Sequence, residues 1–211
     1  MSELLILTWL LMNLVSTYGS WQYLQLMAQN GRSAIPSPAV VIVPIKGRSQ
    51  YTLKFLGSLL NQDHPNYRII FSVEDLADPA VEAITASGRG MSSSVTLFNA
   101  GRRENCGQKV WNLTKALGHI SVDDELVVMT DADVILPGNW LSNLDWAVIN
   151  QRQEIVTGYR LIVPAISTLG ARIVSSINLS VALAPRLTGF TAAWGGTMAM
   201  RRMTLEKLNL S

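Results

Sequence analysis

The sequence contains a single cysteine, few charged residues and no basic run interleaved with aromatic residues. Because Cys106 is the only cysteine among 211 residues, no disulfide can form within the chain, which fits a reducing compartment. The lack of a basic, aromatic-rich stretch argues against nucleic-acid binding. No internal repeat is present, and no G-x-G-x-x-G motif follows the first predicted strand, which disfavours a dehydrogenase-type dinucleotide site.

The N-terminal segment has no charge over a long stretch. Charged residues make up 15% of the chain against 48% hydrophobic residues, and no Asp, Glu, Lys or Arg occurs from Leu4 to Gly31. The apolar stretch from Leu4 to Met27 is long enough for a helix to cross a hydrocarbon core of about 30 Å. We therefore predict a membrane anchor helix within residues 1–31. A cleaved signal peptide is the alternative, but Glu3 precedes the apolar run and no A-x-A motif follows it.

The residues after this segment suggest an orientation. The nearby basic residues, Arg32, Lys46 and Arg48, all follow the apolar run, so the positive-inside rule places the following domain in the cytoplasm. Polar residues dilute the second half of the run, which leaves a tilted or interfacial helix as a second possibility. A linker over residues 32–38, containing S-A-I-P-S-P, leads into a domain that we assign to residues 39–211.

Beyond the linker, short β-rich runs alternate with helical patterns. The predicted strands are Ala39–Ile45, Tyr67–Val73, Val95–Phe98 and Glu125–Met129, with a returning strand within Phe190–Met200. Helical patterns follow the first two strands, cover Val110–Leu117 and begin again near Thr204. This alternation predicts an α/β fold with a mostly parallel sheet and flanking helices. The apolar segment Leu161–Leu183 predicts either an amphipathic helix lying on a bilayer or a buried core helix.

Acidic side chains follow the fourth predicted strand in the segment VVMTDADV. Alternate side chains of a strand share a face, so Asp131 and Asp133 could point the same way where the strand opens into a loop. Two carboxylates suit Mg²⁺ or Mn²⁺ that holds a diphosphate. Acidic pairs also act as turn residues and helix caps, so this motif alone does not distinguish a metal site from a turn or a cap. Ligands of such sheets bind at the carboxyl ends of the strands, where these residues and Asp75 fall.

Four ordered motifs resemble the family 2 inverting glycosyltransferases, and most closely the ceramide glucosyltransferase-like branch, family 21. They are PAVVIVPIKGRSQYTLKFLGSLLNQDHPNYRIIFSVEDLADPA, GQKVWNLTKAL, VVMTDADVILPGNWL and TGFTAAWGGTMAMRR, and they cover residues 38 to about 208. The resemblance implies a GT-A-type, Rossmann-like fold, a UDP-sugar donor, a divalent metal (Mg²⁺ or Mn²⁺) and a lipid acceptor at a membrane.

The resemblance also implies roles for particular residues. Donor-binding positions would be Pro44, Lys46, Gly47, Asp75, Lys109, Asn112, Asp131 and Asp133, the last two holding the metal. The sugar and acceptor pocket would include Trp194, Gly195 and Gly196. Simpler roles remain open: the lysines could be solvated, Asp75 could cap the turn before Pro79, and the glycines could form a tight turn.

The family's general base is expected in an E/D-D motif after the glycine-rich segment, followed by a Q-x-x-R-W-type motif. Neither occurs before Ser211, so we expect the base to lie beyond this sequence and assign no catalytic residue within it. The leading hypothesis is a hexosyltransferase acting on a lipid such as ceramide. The alternative is a nucleotide-sugar-binding fragment, or half of a split enzyme that a second chain completes.

Overall fold

The computed structural model describes residues 2–27, 31, 33–88, 94–158, 166–188 and 196–209. The chain divides into two compact units. One consists of Met1–Asn30 with Tyr159–Ala192, and the other of Gly31–Gly158 with Ala193–Ser211. The second unit contains every strand of the described residues and is the α/β domain that the sequence predicts.

The α/β unit is built on a six-stranded sheet. Its strands are β1 (Ala39–Pro44), β2 (Tyr67–Val73), β3 (Ser94–Asn99), β4 (Leu126–Thr130), β5 (Ile155–Thr157) and β6 (Thr197–Arg201). The strand order is β3-β2-β1-β4-β6-β5. The first four strands are parallel, whereas β6 is antiparallel to both β4 and β5. The prediction of a mostly parallel sheet is therefore confirmed.

Helices cover both faces of this sheet. They are α2 (Thr52–Leu60), α3 (Pro79–Ser87), α4 (Gln108–Leu117), α5 (Trp140–Asp145), which continues into a π-helical turn (Trp146–Asn150), and α7 (Arg202–Leu208). Alternate residues of β1 separate the two core layers. Val41 and Val43 pack with residues of α2, α3 and α5, while Val40 and Ile42 pack with residues of α4 and α7. Nearly every residue of β1 is buried because both faces are covered, as expected of a parallel strand.

A buried polar pair ties the segment before β1 to α5. Asp145 and His64 are almost fully buried, and the His64 Nε2 atom lies 3.7 Å from the Asp145 Oδ2 atom. The backbone N–H of Ser37 donates a long hydrogen bond of 3.4 Å to the same oxygen. Burial alone would raise the pKa of Asp145, but polar interactions with His64, Ser33 and Ser37 together outweigh it and hold that pKa below its usual value.

The other unit contains α1 (Ser2–Met27) and α6 (Leu169–Thr188), which contact each other. The predicted N-terminal helix therefore exists, and large apolar side chains along it are exposed, among them Leu4, Leu7 and Leu11. None of the helices in the described part of the chain combines the length and apolar character that crossing a bilayer requires. The predicted transmembrane span is therefore not confirmed in the described residues, and α1 carries polar residues such as Asn13 and Gln22 among its apolar ones.

Candidate functional site

A cleft of about 300 Å³ lies at the carboxyl ends of β1 and β4. These strands are neighbours, while β2 lies on the other side of β1, so the cleft occupies the switch point of the sheet, where such folds bind ligands. The cleft is lined by Pro44, Ile45, Lys46, Gly47, Ser49, Thr52, Lys109, Asp131, Ala132 and Asp133. Six of the eight donor-binding residues that the family resemblance implies thus come together, and Asp75 and Asn112 are not among the lining residues.

The loop after β1 forms one wall of the cleft. The backbone N–H of Ile45 donates to the Ser72 carbonyl at 3.0 Å, which extends the pairing with β2 beyond the end of the strand. Gly47 then takes a φ of +69°, a left-handed conformation that glycine adopts without a steric penalty. Lys46, just before it, places its ammonium group 2.6 Å from the Glu74 carboxylate. The Lys46 side chain is therefore exposed at the cleft, and its ammonium group is paired with the Glu74 carboxylate.

Asp78 holds this loop in place from the neighbouring segment. Its Oδ1 atom accepts from the backbone N–H of Gly47 at 2.8 Å and from that of Ala80, also at 2.8 Å. The second bond makes Asp78 the N-cap of α3, with Pro79 in the first turn. Asp75 instead lies exposed in the preceding turn, where its side chain accepts from the Ala77 N–H. Asp75 therefore caps the turn before Pro79, and Asp78 is the N-cap of the helix.

The two carboxylates after β4 reach the cleft together. Asp131 is partly buried and Asp133 is exposed, and both line the cleft. The backbone N–H of Asp131 donates to the Gly196 carbonyl at 3.1 Å. One residue earlier, the Thr130 hydroxyl lies 3.1 Å from that of Thr197 at the start of β6. The antiparallel strand β6 thus fixes the backbone from which Asp131 projects.

Lys109 and Asn112 both lie on α4 but face different surroundings. Lys109 is about half exposed, and its Nζ atom lies 2.5 Å from the Asp131 Oδ1 atom. Asn112 is buried, donates to the Ser72 carbonyl at 3.2 Å and accepts from the Gln108 side chain at 2.8 Å. Asn112 is thus bonded to β2, because this face of the helix packs on the sheet, and its contact with the donor stays a prediction.

The pocket residues around the glycine-rich segment are only partly described. Trp194 and Gly195 lie outside the described residues. Gly196 is described, and its carbonyl accepts the hydrogen bond from Asp131. A Cβ atom added at Gly196 would meet no described atom within 4 Å, so contacts with those atoms do not require glycine there.

A divalent metal fits the cleft if its ligand supplies part of the coordination. No group of three or more metal-ligating His, Cys, Asp or Glu side chains occurs among the described residues. Asp131 and Asp133 offer two carboxylates at the cleft, and an ammonium group already lies on one of the Asp131 oxygens. The Asp131 carboxylate is thus placed where it binds a positively charged group. Mg²⁺ commonly binds one or two carboxylates and takes its other ligands from phosphates and water.

Several residues that shape the cleft had no assigned role in the sequence analysis. Glu74 pairs with Lys46, Asp78 holds Gly47, and Ser49 and Thr52 line the wall where α2 begins. The Ser49 N–H donates to the Thr52 hydroxyl at 2.8 Å. Asp78 carried a recognisable signal, an aspartate directly before a first-turn proline. The pairing of Glu74 with Lys46 carried none, because it depends on which strands are neighbours.

Comparison with solved structures identifies the fold. A mannosyltransferase from Pyrobaculum calidifontis in complex with GDP-Man and Mn²⁺ superposes with a TM-score of 0.59 at 20% identity, covering 92% of this chain and 54% of that one. TarS from S. aureus in complex with UDP-GlcNAc gives a TM-score of 0.53 at 15% identity, covering 81% of this chain and 47% of that one. The sheet and its helices thus have the GT-A arrangement, and the chain spans about half the length of these structures.

Sequence comparison identifies the family. A search of curated proteins finds no significant match. The model of glycosyl transferase family 21, in contrast, matches residues 5–209, nearly the whole chain, and so covers both the N-terminal helix and the α/β unit. The chain belongs to glycosyl transferase family 21.

Proposed function

We propose that this chain binds a UDP-sugar in the cleft, together with Mg²⁺ or Mn²⁺, and serves the transfer of a hexose to a membrane lipid such as ceramide. The observation that carries the proposal is the meeting of Lys46, Lys109, Asp131 and Asp133 at the switch point of a GT-A-type sheet. Phosphates need cations, and two ammonium groups with a carboxylate-bound metal supply them.

The two lysines would contact the diphosphate of the donor. Lys46 leads into Gly47, where the backbone turns with positive φ and leaves room for a ligand to approach. A Cβ atom added at Gly47 would meet no described atom within 4 Å. Lys109 extends from the first turn of α4 toward the ends of the strands. Both ammonium groups would act as point charges, which suits phosphate oxygens in several geometries.

Asp131 and Asp133 would hold the metal ion. Bound there, the metal supplies a Lewis acid that stabilises negative charge on the departing diphosphate. The hydrogen bond from Asp131 N–H to Gly196 fixes the backbone from which this carboxylate projects. The Mn²⁺ present with the related mannosyltransferase supports this choice of metal.

Apolar surface on the unit that contains α1 and α6 supports the proposal of a lipid acceptor and of attachment to a membrane surface. Exposed apolar side chains occur along α1 and also at Leu169, Ile173 and Ile177 of α6. Such surfaces are unusual on soluble proteins and are typical of contact with lipid or another protein. We place the cleft on the cytoplasmic side, in keeping with the lone Cys106 and the basic residues after α1.

A second candidate function is nucleotide-sugar binding without turnover by this chain alone. Among the described residues that line the cleft, the only carboxylates are Asp131 and Asp133, and both are assigned to the metal. An inverting transfer also requires a base that takes the proton from the acceptor hydroxyl. In this case the base would come from residues other than those that line the described cleft, while the donor would still bind here.

Calorimetric titration of UDP with and without Mn²⁺ tests the donor site. We expect Mn²⁺ to strengthen UDP binding to the native chain, and Asp131→Asn and Asp133→Asn each to remove that gain. Asp123→Asn is the matched control, because this exposed aspartate precedes β4 and lies at the opposite end of the strand from Asp131. Equal UDP affinity in all three variants and the native chain, with and without metal, would refute the proposal.

A further inference from the structure

The ion pair between Lys109 and Asp131 suggests how the cleft controls its metal. Lys109 Nζ lies 2.5 Å from Asp131 Oδ1, within the distance of a charge-assisted hydrogen bond. The other cleft lysine, Lys46, is paired with Glu74 and does not share this carboxylate. One of the two carboxylates proposed to hold the metal is therefore already occupied by a side-chain cation.

Lys109 lies at the end of α4 where the helix dipole disfavours a positive charge. The α4 helix begins at Gln108, so Lys109 lies in the first turn, near the positive end of the helix dipole. A cation is unfavourable there unless an anion offsets it, and Asp131 is that anion. An anionic ligand entering the cleft would offer the same compensation. Lys109 thus has two possible partners of the same charge, one from the protein and one from the ligand.

The first turn of α4 is held firmly enough to keep Lys109 beside β4. The Gln108 side chain accepts from the Arg103 N–H at 2.9 Å and donates to the Gly101 carbonyl at 2.9 Å. Asn112, one turn later, is bonded to Ser72 at the end of β2. The backbone around Lys109 is therefore tied to two neighbouring segments, and only its long side chain needs to move.

We propose that Lys109 is a built-in counter-ion that competes with the divalent metal for Asp131 and moves to the diphosphate when the nucleotide binds. This inference rests on the proposed function. A metal ion arriving alone would have to displace the ammonium group and lie beside it, and like charges repel. A metal arriving with a nucleoside diphosphate brings phosphate oxygens that accept the released lysine. Metal and nucleotide would therefore strengthen each other's binding.

The coupling has a defined thermodynamic consequence. If the nucleotide raises the affinity for the metal by some factor, the metal raises the affinity for the nucleotide by the same factor. Removing the Lys109 ammonium group while keeping the length of the side chain should raise the affinity for metal alone. It should also reduce the factor by which metal and nucleotide strengthen each other's binding. It should also weaken UDP binding in the absence of metal, because one phosphate contact is lost. These effects have opposite signs, which a simple loss of folding could not produce.

Binding of Mn²⁺ to the full chain, followed by the electron paramagnetic resonance signal of free Mn²⁺, tests the proposal without any activity measurement. We expect Lys109→Met to bind Mn²⁺ alone about tenfold more tightly than the native chain, within the usual range of coupling between sites. Lys109→Gln, which also lacks the charge, should behave in the same way. Lys115→Met is the matched control on the same helix, since Lys115 lies over the Trp111 ring and not at Asp131.

The outcomes separate this inference from the proposed function. If UDP strengthens Mn²⁺ binding to the native chain but neither Lys109 variant gains affinity for Mn²⁺ alone, the competition is refuted and the donor site stands. If neither the native chain nor any variant binds Mn²⁺, with or without UDP, both the competition and the proposed donor site are refuted. If Lys115→Met gains as much affinity as Lys109→Met, the effect reflects overall charge, and the specific role of Lys109 is overturned.

Discussion

Replacing Asp78 with alanine would test whether one carboxylate oxygen both caps α3 and shapes the cleft. In the folded chain this oxygen accepts from Gly47 N–H and Ala80 N–H, each at 2.8 Å. Alanine removes both bonds at once and leaves Gly47 at positive φ without its partner. The substitution should therefore lower stability and also loosen the loop that carries Lys46.

The expected magnitude follows from the two bonds. Loss of an aspartate N-cap costs about 1 kcal/mol. A hydrogen bond to a charged group contributes about 1.5 kcal/mol at the lower end of its range, and that end applies here because Gly47 is only partly buried. We therefore expect Asp78→Ala to lower the free energy of unfolding by about 2 to 3 kcal/mol, and UDP affinity to fall with it.

Urea unfolding and UDP titration in the presence of Mn²⁺ measure the two effects separately. Asp78→Asn should lose far less stability, because asparagine is an equally good N-cap and keeps an acceptor oxygen. Asp75→Ala removes a carboxylate three residues earlier, from an exposed turn, and should change stability by less than about 0.5 kcal/mol. If Asp78→Ala is no less stable than Asp75→Ala and binds UDP as the native chain does, the argument that Asp78 positions the loop fails.

Two further predictions concern other parts of the chain. The pKa of Asp145 is lower in the folded chain than in the unfolded one, so its contribution to stability is present above about pH 4 and is lost as pH falls through the folded pKa. Urea unfolding at a series of acidic pH values should show a shallower loss of stability for Asp145→Asn than for the native chain; parallel profiles would contradict this. Glutamate at the exposed positions Leu7 and Leu11 should reduce sedimentation with phosphatidylcholine vesicles, whereas Leu53→Glu, on exposed α2 surface, should not. Equal sedimentation of all variants would argue against membrane attachment through α1.

The sheet strands were the elements that the sequence predicted best. The bounds of β2, Tyr67–Val73, match the prediction, and β1 ends one residue earlier than predicted. β1 is a continuous apolar run bounded by turn residues, which is the pattern of a strand buried on both faces, and β2 follows it except at Arg68 and Ser72. In contrast, α5 and β5 were not predicted. The strand β5 has only three residues, Ile155–Thr157, two of them exposed, so its formation depends on pairing with β6 rather than on its own pattern.

The helix surfaces were harder to assign than the helices themselves. Lys109 and Asn112 are three residues apart on α4, and the sequence placed both at the ligand. In the structure Asn112 is buried and bonded to Ser72 at the sheet, while Lys109 is exposed toward the cleft. Both are polar, so hydrophobic periodicity does not show which of them turns inward. The buried position becomes visible only once the partner of Asn112, a backbone carbonyl of β2, is known.

The pairing of charges in the cleft depends on topology in the same way. Lys46 meets Glu74 because β1 and β2 are neighbours, and Lys109 meets Asp131 because α4 packs beside β1 and β1 pairs with β4. Each lysine was recognisable from its motif, but its partner was not, since the partners are far apart in the chain. The consequence is functional. A nucleoside diphosphate would meet lysines that already hold carboxylates, so its binding must exchange existing ion pairs. A substitution at Asp131 should therefore change the affinity for phosphate as well as for metal, and one at Glu74 should change the affinity for phosphate.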